Sequence, residues 1–149
     1  MTLEERIIQD MKNAMRSKDK VALRGIRAVK AAIMLLKTDG SGDEITPEKE
    51  IKLVQKMVKQ RKDSYDIYVK QGREDLAAVE QEEIDVISQY LPKQLDEESL
   101  KAVIAEAISE VGAVGMKDMG KVMGVVTAKV AGQAEGKVIS GLVKEALMK

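Results

Sequence analysis

The residues of this chain best spaced for binding chemistry lie in "GMKDMGKVMG", residues 115 to 124. On a helix turning about 100° per residue, Lys117, Gly120, Lys121, Gly124 and Ala128 gather on one side. Met119, Val122, Met123, Val126 and Val130 gather on the other, as a core stripe. Glycine in a helix interior costs about 1 kcal/mol relative to alanine, and the methionine-valine side does not need it. The glycines leave a flat strip of backbone flanked by two ammonium groups. Such a face suits a phosphate backbone, with Lys117 and Lys121 as contacts, Lys129 and Lys137 nearby, and Gly120 and Gly124 permitting close approach. Lysines of this kind set position and do not read bases. The same small residues also fit a neighbouring helix, the one carrying Ile139 and Leu142, packed over them. Both arrangements satisfy the pattern.

Local charge agrees with a patch. Residues 115 to 149 hold six lysines against three acids, a net of +3, whereas residues 96 to 110 hold five acids and one lysine. Over all 149 residues, 25 basic and 25 acidic side chains balance, so no global field recruits nucleic acid or membrane, although a local patch still can. The chain has no cysteine and no histidine. That excludes thiol nucleophiles, histidine general bases, a Ser-His-Asp triad and zinc sites built on those ligands. No metal and no cofactor are expected. Only three aromatics occur, Tyr65, Tyr68 and Tyr90, too few for a base-stacking platform.

The elements that must position these residues are helical throughout. Thr2 and Glu5 form a capping box ahead of Leu3, Ile7, Met11 and Met15 at i, i+4 spacing. A second helix starts near Asp19 with the stripe Leu23, Ile26, Val29, Ile33 and Leu36, and its "AAIMLL" end is expected to be buried. "KTDGSGDEI" reads as a flexible loop. Thr46 and Pro47 restart a helix that runs to Gln71, roughly 37 Å long, with Gly72 as its C-cap. Its inner stripe is Ile51, Val54, Val58, Tyr65 and Tyr68. A fourth helix carries Leu76, Val79, Ile84, Ile87 and Leu91 and is stopped by Pro92. If these two helices fold back about Gly72, Arg61 and Glu83 face each other and are expected to pair.

Seven of the eleven glycines lie between Gly112 and Gly141. Three shorter helices fit there: Glu97 to Val111, capped by Asp96 and ended by Gly112; Lys117 to Val130, ended by Gly132; and Glu135 to Leu147. "AGQAEG", residues 131 to 136, lacks the strand and the G-K-[ST] ending of a phosphate loop and reads as a helix-to-helix turn. The expected fold is all-α, an N-terminal helical domain over residues 1–92 with an antiparallel hairpin and a small three-helix domain over 93–149. No run approaches the ~18 apolar residues of a membrane span, and "MTLEERIIQDMK" is acidic where a signal peptide is basic and then apolar. A cytosolic protein without a membrane partner is expected.

"KQRKDSYDIYVKQGREDLAAVEQEEIDVISQYLPKQLDEESL", followed by "GMKDMGKVMG" and "AGQAEGKVISGLVKEAL", resembles the YqeY family. The spacing of Q-R-x-x-S, G-R-x-D-L, Y-L-P-x-Q-L and K-D-M-G-K-V-M-G carries the resemblance across nearly the whole chain. YqeY proteins are similar to the tail domain of the B subunit of the tRNA-dependent amidotransferase, where the tail grasps tRNA and performs no chemistry. The resemblance implies an all-helical, two-part protein and partners such as tRNA or a tRNA-processing protein. It places the C-terminal signature on Lys117, Asp118, Met119, Gly120, Lys121, Val122, Met123 and Gly124. The family's G-R-A-D-G turn falls on Gly132 to Gly136 with Gln133 in place of arginine, which removes one candidate phosphate contact. The family label, carbon–nitrogen ligase with glutamine as amido donor, reads as inherited from the full-length relative. The alternatives to an RNA-binding module are a protein-interaction module that accepts a partner helix on the glycine face and, third, a participant in transamidation.

Overall fold

The computed structural model describes residues 1–39 and 44–148. Among them the only regular structure is helical: α1 (Leu3–Ser17), α2 (Lys20–Lys37), α3 (Pro47–Lys70), α4 (Glu74–Ile87), α5 (Glu97–Val111), α6 (Met119–Val130) and α7 (Gly136–Leu147). Short 3₁₀ turns at Ser88–Tyr90 and Met116–Asp118 follow α4 and precede α6. The fold is therefore all-α. Residues 40–43 of the loop expected between α2 and α3 lie outside the described residues, as does Lys149.

The chain divides into two compact units, Met1–Leu91 and Pro92–Lys149. In the first, the starts of α1, α2 and α3 are written in the sequence as capping side chains. The Thr2 hydroxyl accepts the Glu5 N–H at 3.2 Å while the Glu5 carboxylate accepts the Thr2 N–H at 2.9 Å. Asp19 accepts the Ala22 N–H and Thr46 the Lys49 N–H, so α2 and α3 also begin with their loose amides satisfied. α3 and α4 form an antiparallel hairpin whose turn passes through Gly72 at φ +72°, a conformation that costs any residue with a Cβ. Leu3, Ile7, Ile26, Val29, Ile33, Val54, Val58, Ile84 and Ile87 make the buried core, each such side chain contributing about 1.5–3 kcal/mol. α2 approaches α4 closely because residue 25 is glycine: a Cβ there would stand 2.6 Å from Val86 Cγ1 and 2.8 Å from Val86 Cβ.

Three expectations change. The end of α2 is not buried all round: Ile33 is buried, but Met34 and Leu35 are 58% and 72% exposed. α2 packs against α1 and α4 and touches α3, and the side that carries Met34 and Leu35 faces outward. Val79 and, at the end of the α1 stripe, Met15 are likewise exposed. α4 also ends at Ile87, earlier than a helix stopped only by Pro92, and tightens into the 3₁₀ turn Ser88–Tyr90. That turn buries Tyr90, whose hydroxyl donates to Asp10 of α1 at 2.7 Å beneath the Arg6 guanidinium, 5.1 Å from the ring. Burial and this bond to a carboxylate push the phenol well above its ordinary pKa.

In the second unit Asp96 caps α5 through the Ser99 N–H at 2.7 Å, and Gly112 closes the helix. Leu100, Ile104, Ala107, Val122, Val126, Val130, Ile139, Val143 and Leu147 from the three helices form its own core. The segment leading into α5 is stitched to the α6–α7 turn. Gln94 donates to the carbonyls of Pro92 and Gly132, Gln133 donates to the carbonyl of Lys93, and the Leu95 N–H donates to the carbonyl of Gln133.

Candidate nucleic-acid interface

α6 starts at Met119, not at Lys117. The segment before it is a tight loop that Asp118 organises: its carboxylate accepts the Val114 N–H at 3.0 Å and its own N–H donates to the Gly115 carbonyl at 3.0 Å. Asp118 is thus turned back onto the loop, and its charge is partly offset by a backbone donor. Lys117 sits on the 3₁₀ turn, so the regular 100° wheel does not govern it, but its side chain is exposed, like that of Lys121 one turn on. Neither lysine makes an ion pair among the described residues.

The core side of α6 is narrower than the wheel suggests. Val122, Val126 and Val130 are fully buried, while Met119 and Met123 are only partly so. The opposite side carries Gly120, Gly124 and Ala128, all exposed. A Cβ built on Gly120 or on Gly124 meets nothing within 4 Å. The arrangement in which the α7 segment of Ile139 and Leu142 packs over the glycines is therefore not adopted. Ile139 points into the core instead.

Two other candidate contacts are placed differently from the first pair. Lys129 reaches across to α5, with its ammonium 2.7 Å from Glu110 and 3.3 Å from Glu106. These bonds, Glu110 first, hold its pKa above the ordinary lysine value. The acidic stretch of α5 and the lysines after it are in part a neutralised pair, so the net charge of residues 115 to 149 overstates the free positive charge. Lys137 stands exposed in the first turn of α7. Gln133, where the family has arginine, is used as the clamp described above, and its side chain serves the fold.

The remaining motif residues have structural partners too. Arg61 and Glu83 are brought together across the α3–α4 hairpin, with Arg61 Nε 3.8 Å from Glu83 Oε1 and side-chain exposures of 19% and 15%. That separation exceeds a hydrogen bond. Arg61 instead donates Nη1 to the Met57 carbonyl at 3.2 Å, and its buried Nε has no hydrogen-bond partner. Beside them Glu80 is half-buried, and burial first, then the Glu83 charge, raise its pKa against the opposing pull of Arg61 and Arg24. Arg73 of G-R-x-D-L forks onto both carboxylate oxygens of Asp75 at 3.1 and 3.2 Å at the exposed start of α4. The sequence reading missed Glu80, although its i, i+3 spacing to Glu83 was visible as a second acid on the hairpin's inner side.

The fold and this surface define a two-unit, all-helical protein whose second unit offers a bare, lysine-flanked helix face. Residues 4–147 match the model of Yqey-like proteins, and the chain belongs to the YqeY family. It is similar to the protein named "Altered inheritance of mitochondria protein 41, mitochondrial" of Pyrenophora tritici-repentis, 33% identical over 132 residues, 87% of this chain and 71% of the relative. Proteins of the same name from Meyerozyma guilliermondii and Vanderwaltozyma polyspora are 36% and 30% identical, over 79% and 74% of this chain. The chain spans 63% of the length of each of these two, less than two thirds. The expectation of a cytosolic protein is corrected by these relatives, which are named as mitochondrial. Lack of cysteine and an acidic start are properties of the chain's chemistry and do not assign a compartment. Among the described residues no helix is long and apolar enough to cross a membrane, and no group of three or more His, Cys, Asp or Glu side chains could hold a metal.

Proposed function

We propose that the C-terminal unit is a binding module for structured RNA of the tRNA class, with Lys117 and Lys121 as phosphate contacts and Lys137 as an outlying third. The observation that carries the proposal is the open strip at Gly120 and Gly124 between two lysines that make no ion pair. Exposed glycines in a short helix reduce its stability, and a surface that must admit a phosphate backbone closely gives them a purpose. The likeness of YqeY proteins to the tRNA-grasping tail of the amidotransferase supports the same reading. Lys129 is left out because α5 holds it.

Titration of fluorescent tRNA with the full chain at low salt is the test. Binding that falls at least about tenfold on changing both Lys117 and Lys121 to Glu supports the proposal, since each phosphate contact is a salt-linked electrostatic term. Unchanged affinity in that variant overturns it. A second reading, a helix of a partner protein lying on the same strip, is favoured by Val114 and Met116, which are 79% and 41% exposed at the entry to α6. It predicts capture that is insensitive to salt and lost on Gly124→Leu.

A further inference from the structure

The strongest charge segregation in the chain is not in the C-terminal unit. Residues 11 to 37 contain eight basic side chains and one acid, Asp19, a net of +7. Two of the eight are tied down, Arg24 to Glu82 and Lys37 to Glu4. Lys12, Arg27 and Lys30 are exposed and make no ion pair among the described residues. In a unit that contains as many acids as bases, like charges left together without partners are a cost that packing does not explain.

The same surface is also apolar. The Glu4–Lys37 ion pair marks the flanks along which α1 and α2 meet. Ile8 and Met15 lie four and eleven residues after Glu4, hence on that flank of α1, with Lys12 between them at its outer edge. Met34 and Lys30 lie three and seven residues before Lys37, hence on the facing flank of α2, with Arg27 at its edge. Ile8, Met15 and Met34 are 42%, 56% and 58% exposed. The rim of this seam therefore mixes three large apolar side chains with three free cations.

We infer that the α1–α2 seam docks on an anionic lipid surface, with Lys12, Arg27 and Lys30 meeting headgroup phosphates while Ile8, Met15 and Met34 enter the acyl boundary. Both halves of the pattern are needed for this choice. A nucleic-acid backbone would use the cations and leave the isoleucine and methionines wet, whereas interfacial membrane binding gains from apolar area and from attraction to anionic lipid together. Methionine is unbranched and adapts to an irregular surface such as the headgroup boundary. The lysines' methylene stems can lie along the same apolar surface with their ammonium groups outward. The seam lies in the N-terminal unit and does not depend on the RNA reading of the C-terminal one.

The test is co-sedimentation of the full chain with phosphatidylcholine vesicles containing about one third phosphatidylglycerol, against pure phosphatidylcholine, since the attraction requires anionic lipid. Binding to the anionic vesicles alone is expected. Lys12→Glu with Lys30→Glu should weaken it at least about tenfold, taking ~fivefold per lysine near the surface. Met15→Ser with Met34→Ser should weaken it several-fold, with unchanged helix content by circular dichroism in both variants. Absence of binding, equal binding to neutral vesicles, or no effect of the charge reversal overturns the inference. So does binding that the methionine variant leaves intact, which would mark a surface for phosphate polymers only.

Discussion

Gly25, Gly120 and Gly124 are one residue type in three different settings, and alanine separates them. At Gly25 the added methyl would collide with Val86, on a helix that cannot retreat without opening the core. Gly25→Ala is expected to lower stability by about 1–3 kcal/mol, the range of an overpacked core, even though alanine is the better helix former. At Gly124 the methyl enters open space, so Gly124→Ala should raise stability by about 0.5–1 kcal/mol. Gly120→Ala, in the first turn of α6, should raise it less. Denaturant titration of the three variants checks the sign at each position, and a destabilising Gly124→Ala would mean that something covers the strip.

Glu80 makes a residue-scale prediction about pH. Its folded pKa lies above the unfolded value because burial and Glu83 disfavour its charge. Stability from such a group is fully present below the unfolded pKa and is lost as pH rises through the folded one. Glu80→Gln, which does not ionise, should therefore gain on the wild type in unfolding titrations at about pH 7 and show no such gain at about pH 4. A gain of equal size at both values would place the effect in packing and not in charge.

At the scale of elements, the Arg61–Glu83 contact tests what holds the α3–α4 hairpin. At 3.8 Å with no hydrogen bond between them, the two groups are partly buried and poorly compensated. Breaking such a pair is costly, whereas replacing both members with apolar residues is often neutral or stabilising. Glu83→Leu alone should destabilise by about 1–3 kcal/mol through the uncompensated guanidinium. Adding Arg61→Met should recover most of that loss. A double variant less stable than Glu83→Leu would show that Arg61 stabilises the hairpin through contacts other than Glu83, such as its bond to the Met57 carbonyl.

The elements were largely legible beforehand, and the reasons are local. Thr2, Asp19, Thr46 and Asp96 are side chains that cap their own helix within three residues, so sequence alone places those starts. The entry to α6 was less legible because Asp118 bonds backward to Val114 and shortens the helix by two residues. The apolar "AAIMLL" end of α2 suggested burial all round. Hydrophobicity fixes which side chains could be buried, but the placement of neighbouring helices decides which are, and none covers the side of α2 that carries Met34 and Leu35. The candidate strip divides the same way. The wheel places its glycines on one side of α6, while the openness of that side and the capture of Lys129 by Glu106 and Glu110 depend on tertiary packing that spacing does not reveal.

At the scale of the whole molecule, a chain with zero net charge carries two basic regions of different character. The one on α1 and α2 is dense and mixed with exposed apolar side chains. The one at α6 is sparse, flat and glycine-lined. Global balance concealed the first of these in the sequence reading, because the acids that cancel it sit largely on α4, which holds six acids and no base. The assignment of the α6 strip to RNA is the central claim, and the salt dependence of tRNA binding tests it most directly. With Lys117, Lys121 and Lys137 in contact, the slope of log affinity against log salt should be roughly −3. Changing Lys117 and Lys121 to Ala should bring it to roughly −1, one unit per lost contact. A slope that is the same in wild type and variant, or no binding at low salt, would contradict the account.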